Sequence, residues 1–276
     1  MIYCLNIADF IIKIEIKAKS KKTLIKYKNI IIKKFKEFVL INNKNNKYDY
    51  ELLIYEKTDF FNLIKNKDTH YVFFFKKVNK RKIISFSYLD ENLLMLIIKH
   101  ILCELFSTHK GFILHGSANK INSNEAMLFL GKSGSGKSTI SNLLNEKFPK
   151  IADDIVLVKK SGNSYFIHPL PFFEKSNRYS FFKKFFFIKY VFLIKKSPII
   201  KIEKVKIEEI INRFFDNYFG QFFLFFKNKS SYKNMILFTK FAKKLNIFLL
   251  KFNKNKKELL NHFNNSLYYN QAEENN

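Results

Sequence analysis

Tryptophan is absent from this chain of 276 residues, and cysteine, proline, glycine and arginine are scarce. Four prolines and seven glycines exclude a collagen-like or linker-dominated architecture. Two cysteines, Cys4 and Cys103, exclude a disulfide scaffold and a cysteine-rich zinc site. Cys103 falls on an apolar helical stretch and reads as core packing. No run of about 18 or more uncharged apolar residues occurs, so no membrane-spanning helix is expected. The opening MIYCLNIADFIIKIEIKAK carries Asp9 and no small-residue cleavage site, so it does not read as a signal peptide. The default expectation is a reducing, cytoplasmic setting.

Acidic residues are few as well: 23 Asp and Glu stand against 50 Lys and Arg, for a formal net charge of +27. Of the 50 basic residues only three, Arg81, Arg178 and Arg213, are arginines, which leaves 47 lysines. The lysines are scattered from end to end and accompany abundant Asn, Ile and Phe, all residues of AT-rich codons. A dedicated nucleic-acid groove usually adds Arg, whose planar fork binds phosphate and guanine bidentately. The charge therefore reads as compositional, and no specific nucleic-acid partner is expected. A raised affinity for any polyanion still follows from it.

What is present is a globular chain. With 47% hydrophobic and 26% charged residues it can build one large domain, or one domain and a small companion. Residues 3–17 read as two short strands, 24–40 as a helix, and 48–57, 70–78 and 82–89 as strands rich in β-branched and aromatic residues. The stretch 91–110 reads as a helix that is apolar on nearly every face. Strands follow at 111–118 and 126–131, a helix at 140–148, and a hairpin of 151–160 with 164–173 around a Ser-Gly-Asn turn. Beyond these come a strand-bearing segment at 181–196, helices at 205–215 and 231–245, a strand at 246–252 and a helix at 256–267. The tail QAEENN is expected to fray.

The sharpest motif is Gly131-Lys132-Ser133-Gly134-Ser135-Gly136-Lys137-Ser138, followed by Thr139. It fits G-x-x-x-x-G-K-[ST] in full, with a buried strand leading in and an amphipathic helix leading out. Three of the seven glycines lie within these few positions. Glycines let successive backbone N–H groups turn inward around a triphosphate, and the helix N-terminus adds its dipole. Lys137 would reach the β- and γ-phosphates of ATP, and the Ser138 hydroxyl would ligate Mg²⁺.

Asp153 and Asp154 follow Lys137 by 16 and 17 residues and open the apolar run IVLV. That spacing allows one short helix and a return, which brings the strand they begin close to the loop. Adjacent residues of a strand point to opposite faces, so the two carboxylates should divide their roles. One would help hold Mg²⁺, and the other would act as a base toward an attacking hydroxyl. His115, in FILHGSA, lies on the strand before the one that feeds the loop. If those strands are neighbours, its imidazole could approach the γ-phosphate end, although a lone His on a β-strand is more often a structural residue.

GFILHGSA, GKSGSGKST and ADDIVLV together resemble the C-terminal kinase domain of HPr kinase/phosphorylase and its shorter relatives, a group similar in fold to ATP-dependent phosphoenolpyruvate carboxykinase. The resemblance covers residues 111–173 and extends loosely to about 215. It implies an α/β fold, a P-loop kinase core with a mixed sheet over 91–270, while the strand-rich pattern of residues 1–90 reads as a small β-rich lobe. It further implies that Lys137 and the loop amides hold the triphosphate, and that Ser138 and Asp153 hold Mg²⁺. Asp154 would take the proton of a substrate serine, and His115 would lie beside the transferring phosphoryl group. The sequence departs from the HPr kinases at Thr139, where they tend to carry an acid, and lacks the Gly-rich signature linked to their phosphorylase activity. The shorter relatives, whose substrates are diverse, match the chain length better. In the relatives, a Pro-containing turn equivalent to His168-Pro169-Leu170-Pro171-Phe172 borders the active site, and Arg178 just after it could contact phosphate.

The reading is therefore an ATP-dependent kinase acting on a hydroxyl, with a protein or peptide serine as the acceptor. Alternatives are a small-molecule kinase on the same fold and a non-catalytic nucleotide-binding regulator. A homo-oligomeric assembly is left open.

Overall fold

The computed structural model describes residues 1–40, 47–56, 75–86, 90–108, 111–171, 185–205, 210 and 230–273. It divides into two units, Met1–Leu105 and Phe106–Asn276. The helix expected at 205–215 falls outside the described residues except for Val205 and Ile210, and Phe172, Arg178 and Arg213 also lie outside them.

The first unit is built on one five-stranded sheet. Strands β1 (Ile2–Ile7) and β2 (Phe10–Lys17) form a hairpin whose two turn residues, Ala8 and Asp9, both adopt positive φ, as a tight twisted turn requires. In β2, Phe10, Ile12, Ile14 and Ile16 are buried and alternate with less buried residues, the period-2 pattern of a half-buried strand. Helix α1 (Lys21–Phe35) is capped by Ser20, whose side chain accepts from Thr23 N, and it buries Tyr27, Ile31 and Phe35 at four-residue spacing. Strand β3 (Tyr50–Tyr55) lies centrally, parallel to both β2 and β5 (Lys82–Phe86), and β4 (Phe75–Asn79) closes the edge antiparallel to β5.

Helix α2 (Glu91–Thr108) begins at Asp90, whose Oδ1 accepts from Leu93 N at 2.8 Å. Its buried residues Leu94, Ile97, Ile98, Ile101, Leu102, Leu105 and Phe106 form one stripe rather than an all-round apolar surface. Glu104, off that stripe, receives Tyr50 Oη at 2.7 Å and also bonds Lys77.

The second unit carries an eight-stranded mixed sheet, as the paired-strand and hairpin signals predict. Its strands are β6 (Gly111–Lys120), β7 (Glu125–Leu130), β8 (Lys150–Ala152), β9 (Ile155–Ser161), β10 (Ser164–His168), β11 (Phe186–Lys196), β12 (Lys201–Lys204) and β13 (Asn246–Phe252). The order is β10-β9-β6-β7-β11-β13-β12, with β8 also paired to β6. Strands β7, β11 and β13 run parallel, and the other pairings are antiparallel. The β9–β10 hairpin turns through Gly162, at φ 56°, and Asn163. The sheet curls enough for β10 to pair with the start of β11, Ile167 opposite Phe186.

Each face of this sheet is covered. Ala126, Leu128 and Leu130 of β7 pack on the side of helix α4 (Ser230–Lys244), with its Phe238, Phe241 and Ala242. Met127 and Phe129 point the other way, toward Ile140 and Leu144 of helix α3 (Lys137–Leu144) and Leu259 and Phe263 of helix α5 (Lys256–Glu273). Phe192 sits between Phe129 and Phe263, with ring centroids 5.7 and 5.3 Å away. Helix α3 starts three residues earlier than the apolar spacing predicts and ends at Leu144, followed by turns through Phe148. No described helix is long and apolar enough to cross a membrane.

Candidate functional site

The site grows from the middle of the second sheet. Strand β7 has neighbours on both sides, β6 and β11, and its last residue delivers the chain into Gly131. The loop then bends through Gly134 at φ 75° and Gly136 at φ 101°, and Gly136 serves as the N-cap of α3. A Cβ at Gly136 would lie 2.8 Å from the Phe252 ring, so side-chain-bearing residues are excluded by both backbone and packing. The loop thus places the free N–H groups of α3's first turn, with their positive end of the helix dipole, directly after the glycines.

Lys137 is only 7% exposed, and its ammonium donates to the Gly131 and Lys132 carbonyls at 2.9 Å each. Burial pulls its pKa below the ordinary lysine range, and the charges of Asp154 and Asp153 offset part of that fall. Both acids therefore lie within electrostatic reach of this lysine.

The acid pair sits differently from the sequence expectation. Asp153 and Asp154 do not open a strand; they form the bend between β8 and β9, and β9 begins at Ile155. Their side chains still engage different partners, through the bend rather than through strand alternation. Asp153 Oδ1 accepts from Ser138 Oγ at 2.8 Å, and its Oδ2 accepts from Lys150 Nζ at 2.8 Å. Asp154 adopts φ 67°, a left-handed conformation uncommon for a residue with a side chain.

His115 Nδ1 lies 3.0 Å from both the backbone oxygen and Oδ1 of Asp154. A carbonyl oxygen only accepts, so Nδ1 is the donor and carries a proton. The Asp154 carbonyl also accepts from Gly116 N at 3.2 Å, which fixes the bend to β6. Strands β6 and β7 are indeed neighbours, with Gly116 opposite Leu130.

Ser138 Oγ and Asp153 Oδ1 are adjacent hard oxygens beside the loop, which suits Mg²⁺, an ion that keeps several waters and takes substrate phosphates as further ligands. Among the described residues no group of three or more His, Cys, Asp or Glu side chains could hold a metal by itself.

No family model matches the sequence, and no curated protein matches it either. Among solved structures the chain is similar to the Hpr(Ser) kinase/phosphatase from Coxiella burnetii, at 11% identity and a TM-score of 0.32, over 58% of this chain and 98% of that one.

Three site residues had no part in the sequence reading. Ser117 Oγ donates to the Lys137 carbonyl at 2.9 Å. Asn119 Nδ2 donates to the Ser141 and Phe148 carbonyls at 2.9 and 2.6 Å, and its Oδ1 accepts from Ser141 Oγ. With His115 these residues form a period-2 polar row on the β6 face that supports α3, a signal present in HGSAN. The third is Lys150, whose ion pair with Asp153 no motif announces.

Proposed function

We propose that this protein is an ATP-dependent kinase that transfers a phosphoryl group to a hydroxyl, with a serine of a protein or peptide as the acceptor. The observation that carries the reading is the convergence on one phosphate-type loop of two differently engaged acids: Asp153 on Ser138, and Asp154 on His115. The serine assignment rests on the motif resemblance over residues 111–173.

In this reading the loop amides and Lys137 bind the triphosphate, with the Lys137 ammonium leaving the loop carbonyls for phosphate oxygens. Ser138 and Asp153 would hold Mg²⁺, which when bound neutralises charge on the β- and γ-phosphates. Asp154 accepts the proton of the attacking hydroxyl. The hydroxyl oxygen forms the new bond to phosphorus, the bond to the β–γ bridging oxygen breaks, and ADP leaves. His115, its Nδ1–H committed to Asp154, fixes that carboxylate and would lie beside the transferring phosphoryl group. Most of the rate enhancement is positioning and charge complementarity.

The test is calorimetric titration of Mg·ATP together with phosphate transfer to an arrayed peptide library. The wild-type chain should bind Mg·ATP and label serine peptides. Lys137→Ala should weaken binding by about tenfold to a hundredfold, the range for loss of a charged hydrogen-bonded contact, and abolish labelling. A folded Lys137→Ala variant with unchanged affinity would overturn the reading.

A further inference from the structure

Lys150 is, with Lys137, one of the two lysines buried among the described residues: it is 6% exposed, at the first position of β8. Its Nζ is bonded to Asp153 Oδ2 at 2.8 Å and to Asn142 Oδ1, on α3, at 2.5 Å. Its backbone N–H donates to Asn145 Oδ1 at 2.8 Å, so the residue is fixed at both ends. The other oxygen of Asp153 accepts from Ser138 Oγ at 2.8 Å. The carboxylate is thus divided: one oxygen belongs to a buried internal cation, and the other faces the loop hydroxyl.

We propose that Lys150 makes Asp153 a one-oxygen ligand and thereby selects Mg²⁺ over Ca²⁺ at the nucleotide site. This inference rests on the assignment of Ser138 and Asp153 to the divalent ion. The two ions differ in what they ask of a carboxylate. Ca²⁺ takes six to eight oxygens in flexible geometry and often takes a carboxylate bidentately, whereas Mg²⁺ demands an octahedron of single oxygens and retains waters. For Asp153 to chelate with both oxygens, Oδ2 must either share its lone pairs between the ion and Lys150, which sets a dication close to a buried ammonium, or leave Lys150 with Asn142 as its remaining partner. Stripping a buried charge of its counter-charge is strongly unfavourable. Ligation through Oδ1 alone leaves the Lys150 bond intact. The ammonium also withdraws part of the carboxylate's charge, so selectivity is gained at the expense of affinity for both ions.

The experiment measures Mg²⁺ and Ca²⁺ binding by calorimetry on the full chain with ADP present, in wild type, Lys150→Met and Lys150→Gln. Wild type should bind Mg²⁺ more tightly than Ca²⁺. Both variants should tighten Ca²⁺ about tenfold or more while Mg²⁺ changes about threefold or less, so that the preference narrows. Wild type that binds Ca²⁺ as tightly as Mg²⁺ overturns the proposal without any variant. Folded variants with an unchanged ratio overturn it too, while leaving the metal site standing. Loss of ADP-linked divalent binding is reserved for failure of the site assignment itself: wild type without it, or Asp153→Asn with wild-type affinity for both ions, removes the premise.

Discussion

His115 Nδ1 bridges the backbone oxygen and the Oδ1 of Asp154, 3.0 Å from each. One imidazole proton thereby fixes both the main chain and the side chain of a residue in the left-handed region. The pair acts as a unit: strand β6 supplies the donor, and the β8–β9 bend supplies both acceptors.

Asp154→Asn should leave Mg·ATP affinity within about threefold of wild type and lower phosphoryl transfer by about a hundredfold or more, since an amide accepts no proton from the hydroxyl. His115→Gln should give a smaller loss, because a side-chain amide can still donate to the Asp154 oxygens. Steady-state transfer rates alongside calorimetric nucleotide affinities check both. Equal rates for wild type and Asp154→Asn would remove Asp154 from the chemistry.

Asn119 is fully buried and satisfies two carbonyls and one hydroxyl. Asn119→Ala should destabilise the second unit by about 2–3 kcal/mol, the cost of orphaning buried hydrogen-bonding groups. The urea midpoint should fall with little change in m-value. A shift below about 0.5 kcal/mol would mean that water replaces the amide at no cost.

Glu104 sets a pH dependence for the first unit. Burial pushes its carboxyl up, but hydrogen bonds from His100, Lys77 and Tyr50 outweigh that and hold it at about 2. Its folded pKa is lower than the unfolded value, so its stabilisation is complete above the ordinary Glu range near 4.5 and is lost as pH falls from there toward 2. The loss should be on the order of 2 kcal/mol at the acid end. Thermal melts between these limits should show Glu104→Gln less acid-sensitive than wild type, and parallel curves would argue against this carboxylate as a source.

The charge of +27 should produce polyanion binding without sequence preference. Affinity for random duplex DNA should fall steeply between low and physiological salt, as counterion release requires. Fluorescence anisotropy across a salt series checks this, and tight sequence-selective binding at physiological salt would show a dedicated groove instead.

The sequence makes local features readable and hides those that depend on distant pairings. The phosphate-type loop stands out because glycines are rare and cluster between an apolar strand and a helix. The hairpin of β9 and β10 is visible because Gly162 and Asn163 separate two apolar runs. The Asp153–Asp154 bend is not, since the run IADDIVLV looks continuous and only the left-handed φ at Asp154 interrupts it. The parallel β7–β11–β13 register and the return of β10 to β11 depend on sheet twist and on segments far apart in the chain. Of the polar row on β6 only the histidine carries chemistry on its face, and serine and asparagine become meaningful once α3 is seen above them. Lys150 is hidden by abundance, for nothing in its neighbourhood marks it as buried. Helix α2 reads as apolar all round because Met95, Cys103 and similar residues occupy half-buried flanks, where burial pushes the Cys103 thiol up to about 12.

The left-handed backbone at Asp154 also governs how this protein can be interrogated. An alanine scan would misrank the position: alanine at φ 67° loses the carboxylate and adds a backbone penalty of about 1–2 kcal/mol, so an inactive variant would look like a folding defect. Asparagine and glycine tolerate that conformation. The informative comparison is therefore between Asp154→Asn and Asp154→Gly, which share a relaxed main chain and differ in whether a polar group remains for His115 to grip.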